Sequence, residues 1–269
     1  MKFSISFFLF FLSFVSFSQI KVVVYNEKTD TGYNVLVDNS EYCPVSILLN
    51  LELTNLSSSN GNDKIFVVPA NTKKIILTSL QIVKSNTSYG MKYKTRINYG
   101  DSTLSTSEDY PYSLPFRTRK SFKVFQGYNG NFSHQNEDSL DFTMPVGTEV
   151  VAARDGIVIK VVEKNNGNCP ERKCAEFNNY IIVYHNDGTF AKYVHLKMNG
   201  ITVKEGDIVK ENELLGYSGN VGWSSGPHLH FMVYFQRIEK VDTIKTKFKT
   251  NNGKSIELLT EKTEYFKDY

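Results

Sequence analysis

Ser224-Ser225-Gly226-Pro227-His228-Leu229-His230-Phe231-Met232-Val233-Tyr234-Phe235 is the stretch whose reading settles most of the rest. Gly226-Pro227 marks a turn, and the apolar and aromatic run from His228 to Phe235 reads as a strand leaving it. Side chains in a strand alternate with a period of two. His228 and His230 therefore project from one face, while Leu229 and Phe231 fill the core behind. Two imidazoles on one face can meet at one small site, although two surface histidines on a strand need no ligand at all. The chain has five histidines, His134, His185, His195, His228 and His230, and all lie in its second half.

Working outward, the next constellation upstream is Ser133-His134 followed by Leu140-Asp141-Phe142-Thr143-Met144-Pro145-Val146-Gly147-Thr148. One imidazole and one carboxylate from here, with one imidazole from the HxH pair, would give zinc three protein ligands. The fourth position would stay open for water, as a catalytic zinc site requires. A third segment, Tyr193-Val194-His195-Leu196, ends an expected strand, and His195 could supply an imidazole beside the metal or a general base.

Taken together these segments resemble the lysostaphin/LytM family of zinc metallopeptidases. The resemblance runs from about Gln126 to Val233. It includes Val150-Val151-Ala152-Ala153-Arg154-Asp155-Gly156 and Leu215-Gly216-Tyr217-Ser218-Gly219-Asn220-Val221-Gly222, in the family's order. It implies one Zn2+ per chain, held by His134, Asp141 and His230, with His195 and His228 as the catalytic imidazoles. It also implies a peptide stem or cross-bridge of peptidoglycan as substrate. One departure stands out: the family usually has three residues between its first histidine and its aspartate, whereas six lie between His134 and Asp141. Asp138 sits at the usual spacing and is a rival ligand. Asp141 is preferred because Phe142, Pro145, Gly147 and Thr148 follow it and fix its register against the next strand, the extra residues bulging before it. Glu137 and Asp138 then read as solvated loop carboxylates.

Length and composition frame this reading. With 269 residues, 41% apolar and 13% aromatic, the chain can build two ordinary cores. Net charge is +3 from 31 basic and 28 acidic residues, with no long basic run, so a nucleic-acid partner is not expected. Met1-Lys2 and the apolar Phe3 to Phe17 read as a signal peptide over 1–18, cleaved after Ser18, which implies export to the periplasm or the outside. The segment is too short to span a bilayer, so no stable membrane span is expected after cleavage.

The whole chain reads as mainly β. Runs such as Lys21 to Tyr25, Val45 to Leu53, Lys64 to Val68, Lys73 to Leu80 and Tyr93 to Tyr99 suggest a β-sandwich-like accessory domain over 19–112. A looser stretch from Asp101 to Pro115 carries the boundary. Beyond it an antiparallel-β domain of the lysostaphin/LytM type is expected over 113–245, then a carboxy-terminal strand and tail over 246–269. Cys169 and Cys174 can bridge locally in an oxidising compartment, three free thiols being the alternative, and Cys43 is left over. His185 reads as structural or surface, Trp223 as a cleft or loop aromatic, and the Tyr128 hydroxyl as a possible assistant at the metal. Two other functions compete with an endopeptidase: a non-enzymatic activator of wall hydrolases, and a wall-binding module whose zinc is structural and closed by four ligands.

Overall fold

A computed structural model describes residues 20–104 and 109–269, so the expected leader over 1–18 lies outside the described residues. Apart from one short 3-10 turn, Arg172–Phe177, every described element is a strand. The mainly β fold expected from the turn-punctuated runs is the fold observed. No helix of the described residues is long and apolar enough to cross a membrane.

The amino-terminal half is two antiparallel sheets closed on one core. The first orders Val22–Thr29, Gly32–Asn39, Thr72–Ile82 and Leu56–Ser58; the second orders Lys64–Val68, Val45–Thr54 and Gly90–Tyr99. Alternation does the sorting. Val45, Ile47, Leu49 and Leu51 turn inward from one sheet and meet Val35, Val37, Leu77 and Leu80 from the other. The strand Gly32–Asn39 was not among those expected, because Asn34, Asp38 and Asn39 break its apolar pattern. Asn39 is nevertheless fully buried, and its amide donates to the carbonyls of Cys43, Val68 and Pro69. A buried side-chain amide with every donor bonded is tolerated where an unpaired one would not be.

The second half is built on a nine-stranded sheet. Its path runs Ile208–Val209, Gly156–Val162, Tyr180–Tyr184, Phe190–Val194, Leu229–Gln236, Ser139–Phe142, Ser121–Gln126 and Glu264–Phe266, with Val241–Ile244 pairing the far end of Leu229–Gln236. A three-stranded sheet, Glu149–Val151, Leu214–Ser218 and Leu196–Ile201, completes it. One face of the large sheet buries Leu140, Phe142, Tyr193, Leu229 and Phe231 in the main core. The carboxy-terminal segment belongs to this half: Phe248 is fully buried in the same core, and Glu264–Phe266 pairs with Ser121–Gln126.

The opposite face of the large sheet is shared. At one end Ile159, Ile182, Phe190 and Tyr234 pack with Cys43, Tyr42 and Tyr99 of the amino-terminal half. At the other end the same face opens into a cavity of about 700 Å³, to which no described residue before Phe125 contributes.

Candidate metal centre

Strand register brings the first two functional side chains together. In the antiparallel pairing of Ser139–Phe142 with Leu229–Gln236, Asp141 stands directly opposite His230. Directly opposed Cβ atoms in such a pair are about 5 Å apart. Leu140, Phe142, Leu229 and Phe231, which flank them in sequence, are all buried in the core behind, so neither functional side chain can turn away. His134 reaches the same point from the loop before Ser139–Phe142. Its Nε2 lies 3.2 Å from Asp141 Oδ2 and 3.2 Å from His230 Nδ1, and His230 Nδ1 lies 3.0 Å from Asp141 Oδ1. The three side chains offer donor atoms that all fall within 4.8 Å of one another.

Hydrogen bonds on the far side of each ring fix what those atoms are. A carbonyl can only accept, so His134 Nδ1, 3.0 Å from Gly127 O, carries the proton and Nε2 presents a lone pair. His230 Nε2 lies 3.3 Å from Glu137 Oε1 and donates to it, which leaves Nδ1 as the lone pair facing Asp141. Two imidazole lone pairs and a carboxylate then converge at about 3 Å, acceptor against acceptor, an arrangement a cation resolves. Tetrahedral zinc with bonds near 2.0–2.1 Å has ligand–ligand edges of about 3.3 Å. The residues present fit such an ion, and His230 with Glu137 forms the carboxylate-backed imidazole common at zinc sites.

Without a metal the same cluster holds a proton instead. Burial works against charge on His230, but the Asp141 and Glu137 carboxylates outweigh it and raise its pKa to about 9. Burial likewise opposes ionisation of both acids; the hydrogen bond and charge of His230 nonetheless hold Glu137 at about 2, and the neighbouring imidazoles of His134 and His230 keep Asp141 below the usual carboxylate range.

Two further imidazoles border the group. His195 Nδ1 donates to Val221 O at 2.8 Å and His228 Nδ1 to Gly226 O at 2.7 Å, so both present Nε2 lone pairs. Their rings are 4.5 Å apart, and His228 Nε2 is 3.8 Å from Asp141 Oδ1. Burial, then the neighbouring imidazoles, lower the pKa of His195 to about 3, and burial chiefly lowers that of His228. Both rings are neutral at neutral pH. His195 occupies a left-handed backbone position, φ 66°, between Phe190–Val194 and Leu196–Ile201. That conformation is costly for a residue with a Cβ and persists only where the surroundings enforce it.

Residues 135–243 match the sequence profile of peptidase family M23. This part of the chain is an M23 peptidase domain. The matched span includes Asp141, His195, His228 and His230 and begins one residue after His134. Over 81% of its length the chain is 28% identical to an uncharacterized metalloprotease of Buchnera aphidicola, of which it covers 50%. It is 30% identical, over 49% of its length, to the peptidoglycan DD-endopeptidase ShyA of Vibrio cholerae, covering 28% of that protein. It is 38% identical, over 39% of its length, to the glycyl-glycine endopeptidase ALE-1 of Staphylococcus capitis, covering 25% of it. The chain thus spans between a quarter and half the length of these relatives.

Other side chains of the M23 domain border this group or stand apart from it. Asp138, the rival to Asp141, points elsewhere: it accepts from Asn129 Nδ2 at 2.6 Å, outside the metal group. Glu137 is not a free solvated loop carboxylate: its Oε1 accepts from His230 Nε2 at 3.3 Å. Tyr128 does not assist at the metal: its hydroxyl donates to Thr246 O at 2.5 Å and its ring packs on the core. His185 is fully buried beside the turn between Tyr180–Tyr184 and Phe190–Val194, donating to Asp155 O at 2.7 Å. Cys169 and Cys174 are bonded, and Pro170, Arg172 and Ala175 of their loop line the cavity with Trp223. Trp223 Nε1 donates to Pro170 O at 3.1 Å, so the loop and the tryptophan form one wall.

Proposed function

We propose that the protein is an exported zinc metalloendopeptidase that hydrolyses peptide bonds in peptidoglycan stems or cross-bridges, with His134, Asp141 and His230 as ligands to one Zn2+ and His195 and His228 as the catalytic imidazoles. The observation that carries the reading is the convergence of three lone-pair donors at the floor of a cavity that holds two more neutral imidazoles. A bound zinc ion would polarise the scissile carbonyl and lower the pKa of water towards 7. The chain's own residues supply the rest. With their Nδ1 protons tied to backbone carbonyls, His195 and His228 offer Nε2 to take a proton from the attacking water and to return it to the leaving amine nitrogen. Once protonated, either ring is a donor to the developing oxyanion. No serine or cysteine nucleophile is needed.

Three ligands and not four among the described residues support a catalytic over a purely structural site, because closed structural zinc sites use four protein ligands. A non-enzymatic wall-binding or activating protein would have no use for a full donor set beside two spare imidazoles. The bonded Cys169–Cys174 pair supports an oxidising compartment, as expected for an exported chain. The relatives named as peptidoglycan DD-endopeptidase and glycyl-glycine endopeptidase support the substrate class. The amino-terminal half, standing clear of the cavity, serves as a positioning module.

Muropeptide release from purified peptidoglycan tests this. Wild type should release peptides, His230→Ala should lose both zinc and activity, and His195→Gln should keep zinc but lose on the order of 100-fold or more in rate. Equal zinc binding and equal release by wild type and His230→Ala would refute the assignment.

A further inference from the structure

Resting on the endopeptidase reading, we propose that Lys192 forms an anion-accepting subsite in the groove, selecting substrates whose residue next to the scissile bond carries a free carboxylate. Register fixes where Lys192 stands. In the pairing of Phe190–Val194 with Leu229–Gln236, Val194 faces His230 and Lys192 faces Met232. With a period of two, Lys192 and Val194 share the sheet face of His230, and Lys192 stands one pair further on, about 7 Å along the strands. That is the span of one or two residues of an extended peptide lying over the metal group. Lys192, Val194 and Met232 all line the cavity.

The neighbours of this lysine are apolar or aromatic. Val194 is buried, and the Lys192 ammonium stands over the Tyr180 ring, 4.6 Å from its centroid. Among the described residues no carboxylate lies within ion-pair distance of it. Among the described residues Glu137 is the one acid whose charge is felt there, and that carboxylate is already engaged by His230. Methionine or leucine would pack such a groove floor at lower cost, because a partly buried cation without a counter-ion gives up hydration for little return. A carboxylate brought by the substrate would supply the missing partner through a charge-assisted bond. A neutral glycine bridge has no such group, so this residue bears on which of the two relatives' named bonds the chain resembles in use.

The test uses zinc-loaded full-length protein and two synthetic cross-linked stem peptides, identical except that the residue flanking the scissile bond bears a carboxylate in one and a carboxamide in the other. Wild type should favour the acid peptide in kcat/KM on the order of ten-fold or more, mainly through KM. Lys192→Met should bring that ratio to about one, and Lys192→Arg should retain a preference for the acid. Cleavage of both peptides by wild type at equal efficiency, or a ratio unchanged in Lys192→Met, would overturn the subsite while leaving the peptidase reading intact. Zinc-loaded wild type that cuts neither peptide would remove both.

Discussion

Each imidazole around the groove has one nitrogen committed to a fixed acceptor, and this makes the other nitrogen chemically defined. Glu137 does this for His230, so Glu137→Gln should weaken zinc binding by about 10- to 100-fold, with most activity recovered at saturating zinc; a competition titration against a chelator reads it. The buried rings also set how stability responds to pH. His185 and His195 have folded pKa values of about 4 and about 3. Unfolding lets each take up a proton below its ordinary 6.5, so their contribution is complete above pH 6.5 and lost as pH falls towards 4. His230, raised to about 9, works the other way: its contribution is complete below 6.5 and fades as pH rises to 9. On the alkaline side Lys267, whose amine burial lowers to about 7, gains stability as pH rises and offsets the loss from His230. Urea midpoints measured in chelator should fall as pH drops below 6.5, and His185→Gln should make that acid slope shallower by one proton, about 1.4 kcal/mol per pH unit. The shared face of His228 and His230 was legible in the sequence because a strand dictates which way its side chains point, whereas Asp141 was read through the resemblance. Glu137 and Tyr128 sit in a loop, where spacing says nothing about direction, and both were misread.

At the scale of elements, the site depends on how closely three segments approach. A Cβ at Gly219 would lie 2.7 Å from His195 O and 2.7 Å from Lys197 N, and both are backbone atoms that cannot swing aside. His195 is already held at positive φ. Gly219→Ala should therefore shift His195 before it shifts anything else, lowering kcat by ten-fold or more while leaving zinc stoichiometry at one, since His195 is not among the three ligands. Retained kcat in Gly219→Ala would show that the approach is not needed. Most strands here were legible from β-branched and aromatic runs set between turns. Gly32–Asn39 was not, because its polar residues are satisfied by partners distant in sequence, as the Asn39 amide is. The glycine-rich segment from Gly219 to Gly226 was legible as a turn region, but its close contact with the backbone of His195 depends on a pairing that only the fold reveals.

Over the whole molecule, the amino-terminal half grips one end of the sheet and leaves the other open. Cys43 lies in that seam, fully buried, and burial pushes its thiol up to about 12. It should resist alkylation in the folded protein and react only on unfolding, because the thiolate is the reactive form. Fast labelling under native conditions would mean that the seam opens. The proposed division of labour follows: an amino-terminal half that packs on one end of the sheet face and positions the domain, and a groove at the other end floored by His134, Asp141 and His230. Adding zinc stepwise to metal-stripped protein, with bound metal and peptide release from peptidoglycan followed together, tests that account most directly. Occupancy and rate should rise in proportion and both stop at one zinc per chain. Full hydrolysis by the stripped protein, or saturated metal with no hydrolysis, would contradict it.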